Sequence, residues 1–191
     1  QAMRHLRGGR AVTAAASRPV ALPEGARTLR LEPLSAEGFA PFGDLLMSGL
    51  GASKAANQGT AKRCDFAAGL ESTRREARPN LAVFTSEAQS LPFALRLLER
   101  HPCSTQAFLP LRTERFLVCV AGSLPDGSPD LATLRAFVGV AGQAINYRCG
   151  VWHHPIIALG APAELAMLAW EDGSPDDCVE SWFEEPIWVV E

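Results

Sequence analysis

Two histidines stand side by side in Gly142-Gln-Ala-Ile-Asn-Tyr-Arg-Cys-Gly-Val-Trp-His-His-Pro155, and one residue separates a glutamate from a histidine in Glu99-Arg-His101. Imidazoles and carboxylates are the side chains that move protons near neutral pH and bind divalent cations. Gly150 can take a turn that other residues enter only with strain, and Val151 to Leu159 then runs almost wholly apolar, as a strand buried in a sheet does. Alternation along such a strand puts His153 on one face with Pro155, Ile157 and Leu159, and His154 on the other with Trp152, Ile156 and Ala158. At most one of the two histidines therefore points into any single cavity.

Phe93, Leu95, Leu97, Glu99 and His101 fall on alternate positions after Pro92, while Arg96 and Arg100 fall on the others. That is strand periodicity, interrupted only by Leu98, and it carries Glu99 and His101 inward together. A buried carboxylate costs roughly several kcal/mol unless it is paired or coordinates a metal, so an inward Glu99 beside an inward His101 asks for a partner. A helix over the same residues would also bring Leu97 and His101 to one face, and the pattern alone leaves both open. Asn57-Gln58-Gly59-Thr60, beside Lys62 and Arg63, lies in a Gly-, Ala-, Ser- and Asn-rich loop over 47–62; it reads as a turn or as a set of amide and hydroxyl groups for a ligand.

These groups need a scaffold. A chain of 191 residues, 47% apolar and 20% charged, suits one domain with a sizeable core. It contains no run of about 18 uncharged apolar residues, so a soluble protein with no membrane partner is expected. Five cysteines, none in a Cys-x-x-Cys pair, predict reduced thiols in an intracellular compartment. Six arginines against Glu24 alone in residues 1–30 make a basic head, read as a flexible extension over 1–27 or as an organellar transit segment. The expected location is the cytoplasm, with an organelle as the alternative if the head is a transit peptide. The acidic remainder argues against nucleic acid as the partner of the domain over 28–191.

Thr28 to Leu34 alternates as a strand, and Ser35 opens a short capped helix whose core contacts are Phe39, Phe42 and Leu45. Leu81 to Thr85, Phe116 to Val120, Leu134 to Val140, Ala144 to Tyr147, Val151 to Leu159 and Leu165 to Trp170 are short strands between Gly, Pro and Asp turns. Ser181 to Val190 reads as a last strand pair, or as an edge broken by Pro186. So many strands with so little helix predict a mainly β, antiparallel barrel or jelly roll.

The second half resembles the cupin superfamily. In the second cupin motif (Gly, five residues, Pro, one, Gly, two, His, three, Asn), Gly142, Gly150 and His153 fit in register, with Arg148 and Ile157 replacing Pro and Asn. The first motif is degenerate: Glu99-Arg-His101, four residues and Gln106 stand for His-x-His, four residues and Glu. The resemblance implies a cupin-like double-stranded β-helix with His153 as a metal-position histidine. Four blocks in order, Asn57-Gln-Gly-Thr60, Glu99-Arg-His-Pro-x-x-x-Gln-Ala-Phe108, Pro129-Asp-Leu-x-Thr-Leu-Arg-Ala-Phe137 and Gly142-Gln-x-x-Asn-Tyr-x-x-x-Val-Trp-His-His-Pro155, are similar to the ureidoglycolate lyase family from about Thr28 onward. Glu171-Asp172-Gly173 stands where that family has an Asp-Arg-Gly-Gly turn.

The resemblance implies a homodimeric enzyme of purine and allantoin breakdown that splits ureidoglycolate into glyoxylate and urea with a divalent metal ion such as nickel, manganese or zinc. Glu99, His101, Gln106 and His153 are then the expected ligands, Gln106 the weakest because it offers only a carbonyl. Eliminating urea needs a base for the C2 hydroxyl, an acid for the departing nitrogen and a cation for the carboxylate. His153, His154 and Tyr147 are the candidate proton carriers. Arg148, Lys62, Arg63, Asn57 and Gln58 are the candidate substrate contacts, arginine being suited to a bidentate grip. The competing readings are a cupin that binds a small ligand without turning it over, and a hydrolase that releases ammonia from the same substrate.

Overall fold

The computed structural model describes residues 21–191. The basic head expected over 1–27 thus lies outside the described residues as far as residue 20. Strand β1 (Thr28–Pro33) leads into one helical turn, α1 (Ala36–Phe39), where the Ser35 hydroxyl accepts a hydrogen bond from Gly38 N–H at 3.1 Å. Strand β2 (Gly43–Met47) follows, and Phe39, Phe42 and Leu45 are all buried, as their spacing predicts. Strands β3 (Lys54–Ala56) and β4 (Ala61–Arg63) form a hairpin inside the stretch expected to be loop. The hairpin tip holds Asn57 and Gln58 at φ 51° and 60°, left-handed values that let so short a turn close where the composition showed only loop residues.

The chain continues through β5 (Arg78–Ser86), β6 (Ala88–Gln89), β7 (Phe93–Arg100), β8 (Gln106–Arg112) and β9 (Arg115–Ser123). It ends with β10 (Pro129–Val140), β11 (Gln143–Tyr147), β12 (Trp152–His153), β13 (Ile157–Leu159), β14 (Ala163–Glu171) and β15 (Val179–Val190). One sheet has the order β10-β1-β15-β7-β12-β9-β13-β6, and β9 also pairs with β10, which closes six strands into a ring. The second sheet has the order β2-β11-β8-β14-β5. The molecule is therefore the mainly β barrel that the sequence predicts, antiparallel for the most part, with β1 parallel to both β10 and β15.

Strand β9 is apolar without a break because both of its faces are buried. Leu117, Cys119 and Ala121 join Leu95, Leu98, Trp152 and Val189 in a core supplied by the ring and β13. Phe116, Val118 and Val120 face the other way, into a core shared with Phe108, Ile145, Tyr147 and Met167 of the five-stranded sheet. Strand β14 has one wet face and alternates accordingly: Ala163, Leu165, Met167 and Ala169 are buried and the residues between them are not.

Two expected faces are corrected. Val151 to Leu159 is not one strand: β12 stops at His153, and β13 starts at Ile157. Pro155, which has no N–H to donate, sits in the gap, and the phase slips by one residue. Ile156 and Ala158 therefore join the core between the sheets, on the His153 side, while Ile157 and Leu159 go with Trp152 to the ring core. In β7 the fully buried leucines are Leu95 and Leu98. Leu97 pairs with Trp182 and Leu95 with Ile187, so Arg96 alone faces four residues of β15, and this bulge flips the strand between Leu95 and Leu97. Glu99 is thus inward by facing away from Leu98 rather than by continuing the face of Leu95. The same bulge contains Pro186, so the last segment is one bulged strand.

Gly139 lies opposite Phe116, and a Cβ on it would fall 2.1 Å from Phe116 Cζ. Gly139→Ala should therefore destabilise the protein by about 1–3 kcal/mol or more through overpacking, as read by urea denaturation. Gly139→Ala combined with Phe116→Leu should lose clearly less than the sum of the two single changes; strict additivity would mean that the ring is not what excludes the methyl group.

Candidate metal centre between the two sheets

The end of β7, the start of β8, the end of β11 and β12 meet at one point. Glu99 and His153 are direct cross-strand partners in the ring, and Gln106 and Tyr147 are direct partners in the five-stranded sheet. His101 enters from the β7–β8 connection. His153 Nε2 lies 3.6 Å from Glu99 Oε1 and 3.1 Å from Gln106 Oε1, and His101 Nε2 lies 3.9 Å from the same Glu99 oxygen. Ligand atoms of Glu99, His101 and His153 all fall within 4.8 Å of one another. Tyr147 lies flat on His153, with ring centroids 4.0 Å apart and planes 10° apart.

The protonation of both imidazoles follows from their outer nitrogens. His101 Nδ1 is 2.6 Å from the Asp177 carbonyl and His153 Nδ1 is 3.0 Å from the Val151 carbonyl. Each carbonyl can only accept, so each Nδ1 carries the hydrogen and each Nε2 presents a lone pair inward. Two lone pairs, a carboxylate and the Gln106 oxygen then converge with no proton among them. His101 Nε2 is buried without a hydrogen-bond partner. A divalent cation would satisfy this donor set, which is of the kind such ions take.

The same groups also set one another's charge. Burial pulls the Glu99 carboxyl up, but a hydrogen bond from His153 and the positive charge that His153 and His101 carry when protonated outweigh it and hold Glu99 below the usual range. Burial, and then the neighbouring charge of His153, push His101 down, which favours its neutral, ligating form. Tyr147 is pushed well up by burial, and its hydroxyl is buried without a partner. Cys178, given no role in the sequence reading, donates toward Glu99 Oε2 at 3.6 Å and is pushed up to about 12 by burial and by Glu99. No motif signals it.

The remaining candidates lie elsewhere. His154 turns its ring edge to Phe93 at 5.2 Å, with Nδ1 2.7 Å from the Pro155 carbonyl, on the far side from the cluster. Arg148 is exposed and donates to the Pro41 carbonyl at 3.3 Å. Asn57, Gln58, Lys62 and Arg63 are on the β3–β4 hairpin, where Arg63 pairs with Asp65. Among the described residues, no hydrogen bond or ion pair joins any of these to the cluster. A cavity of about 690 Å³ lined by Arg27, Leu131, Phe183 and Trp188 contains none of the cluster residues, so chemistry and not size locates the site.

Residues 26–190 match the family model described as ureidoglycolate lyase. The chain belongs to the ureidoglycolate lyase family. Among its relatives, the ureidoglycolate lyase of Burkholderia mallei is 36% identical over 165 residues, which is 86% of this chain and 95% of that protein. Those of Pseudomonas fluorescens and Pseudomonas aeruginosa are 38% and 37% identical, each over 83% of this chain and 93% and 92% of their own lengths. A formate complex of Lactobacillus farciminis oxalate decarboxylase overlaps 58% of this chain and 33% of its own, at TM-score 0.35 and 12% identity, too little to argue from. The relatives carry the name of a lyase, and among the described residues the cluster concentrates groups that could serve one.

His101 and His154 both have pKa values lowered by burial from the usual 6.5, so the unfolded chain binds more protons than the folded one once pH falls below that value. Glu99, also lowered, adds its loss further down, as pH falls from 4.5 through its folded value. Stability of the ion-free protein should therefore be flat near pH 7–8 and fall below about 6.5, with a limiting slope of about 1.4 kcal/mol per pH unit for each proton taken up on unfolding. His154→Gln should shallow that fall and leave nickel affinity unchanged. An unaltered slope would remove His154 from the account, and a weakened affinity would place it at the centre.

Proposed function

We propose that this protein is a ureidoglycolate lyase that converts ureidoglycolate to glyoxylate and urea, with Glu99, His101, His153 and Gln106 holding a divalent ion. The observation that carries the ion is the convergence of Glu99, His101 and His153, with Gln106 Oε1 3.1 Å from His153 Nε2 and His101 Nε2 left unpartnered. When bound, such an ion polarises oxygen and lowers the pKa of a hydroxyl. The donor set suits nickel, manganese and zinc alike.

The reaction breaks the C2–N bond as the C2 hydroxyl loses its proton and becomes the aldehyde of glyoxylate; the bonding pair leaves with nitrogen, which gains a proton to complete urea. Glu99, ionised at neutral pH, is the cluster's proton acceptor. Tyr147, kept protonated by burial, is its proton donor, aligned by its stack on His153. His154 stands behind this pair as packing against Phe93. Arg148 directly follows Tyr147 and spends one long hydrogen bond on Pro41, which leaves most of its donors for the substrate carboxylate. Lys62, Arg63, Asn57 and Gln58 sit on a hairpin held mainly to itself, suited to closing over a bound substrate.

A homodimer has support in the outer face of the five-stranded sheet, where Leu81 and Val83 are 72% and 68% exposed beside Leu109. Contiguous apolar side chains on a sheet face favour a second copy over water.

Purified protein incubated with ureidoglycolate should yield equal amounts of glyoxylate and urea, lose activity to chelator and regain it with nickel or manganese. Glu99→Gln and His101→Ala should each cost at least about 100-fold in kcat/KM, and Tyr147→Phe should lower kcat more than it alters KM. Ammonia in place of urea would make the protein a hydrolase, indifference to chelator would remove the ion, and no product from folded protein would leave a binding protein.

A further inference from the structure

Residues 71–74 lie in an irregular segment that no step above uses, yet they tie together the two backbone stretches flanking His101. Thr73 N–H donates to the Cys103 carbonyl at 2.9 Å and Ser72 bridges Ser104, which fixes this segment on the β7–β8 connection. Arg74 then reaches the loop after β14. Its Nη1 donates to Asp172 Oδ1 and to Ser174 Oγ, both at 2.7 Å, and its Nη2 pairs with Asp177 Oδ1. The Asp177 carboxylate is held from its other side by the N–H groups of Asp172 and Gly173, the latter at 2.6 Å. The carbonyl of this same Asp177 faces His101 Nδ1 at 2.6 Å.

The geometry points to Arg74 as a positioning residue for the metal centre: by clamping Asp172, Ser174 and Asp177 it fixes the Asp177 carbonyl, and through it the tautomer and ring angle of His101. This inference rests on the divalent-ion reading above. Without the guanidinium, the Asp172 and Asp177 carboxylates repel across a short loop, and the carbonyl they frame has no fixed place. Without that carbonyl, His101 has no acceptor to hold hydrogen on Nδ1, and its inward lone pair is no longer secured. A planar fork with several donors reaches three acceptors at once, which a single ammonium on a flexible stem does not.

The test compares wild type, Arg74→Lys and Arg74→Ala in two measurements: nitrogen-15 imidazole spectra of the ion-free protein, and calorimetric titration with nickel(II). Wild-type His101 should show one tautomer with hydrogen on Nδ1. In Arg74→Ala it should become a mixture while His153 keeps its own, and nickel affinity should fall about 10- to 100-fold, the usual loss when a ligand's outer partner goes. Arg74→Lys should not restore either quantity. A pure His101 tautomer and unchanged affinity in Arg74→Ala, or full rescue by Arg74→Lys, would overturn the proposal. Should Arg74→Ala not fold, Asp172→Asn with Ser174→Ala removes two of the three acceptors, and the same two outcomes decide. If wild type itself takes up no nickel, the ion reading falls, and the tautomer ratio alone still decides whether Arg74 sets His101.

Discussion

A carboxylate set between two imidazoles, each already committed through its outer nitrogen to a backbone carbonyl, is the constraint from which the rest of the site follows. Val151 and Asp177 supply those carbonyls, so the turn before β12 and the loop after β14 must both be in place before either ring can present its lone pair. The two sheets have separate shares in this. Glu99 and His153 are locked by the Glu99–His153 register of the ring, and Gln106 and Tyr147 by the register of the five-stranded sheet. Packing of Phe116, Val118 and Val120 against Phe108, Ile145 and Met167 then holds the two pairs face to face. The site is rigid because a core lies directly beneath it.

The strands of the barrel and the inward Glu99, His101, Gln106 and His153 are legible in the sequence, whereas the β3–β4 hairpin hides in a stretch of loop composition. The phase is not. Continuing the alternation of Phe93, Leu95 and Leu97 carries Glu99 inward, but the bulge opposite residues 183–186 of β15 reverses that alternation, and Glu99 points inward because Leu98 points the other way. His153 shares a core with Ile156 and Ala158 for a similar reason, since the ladder breaks at Pro155. Both irregularities depend on a partner strand far away in sequence, which local periodicity cannot report. The separation of His153 from His154 holds because adjacent residues part company whatever the phase of the strand.

The structure also separates groups that spacing makes look alike. Gln106 is the least convincing ligand by chemistry, yet its register with Tyr147 brings its oxygen to 3.1 Å from His153 Nε2. His154, chemically the better group, is carried behind the sheet to Phe93. Cys178 and Arg74 belong to no motif, and reach the site only because the loop after β14 folds back over the β7–β8 connection.

If the cluster holds the ion proposed above, charge balance suits it to an anionic substrate. Glu99 supplies one negative charge, while two neutral imidazoles and a carboxamide supply none, so a divalent ion held by this set keeps a net charge of about +1. A second carboxylate at the position of Gln106 would cancel that charge and weaken the attraction for a carboxylate ligand. On the reading proposed above, the neutral glutamine would bear on specificity as much as on affinity, a weaker ligand going with a cationic site. Arg148, exposed beside that site, and Lys62 and Arg63 on their hairpin would then add to an attraction that the centre itself begins.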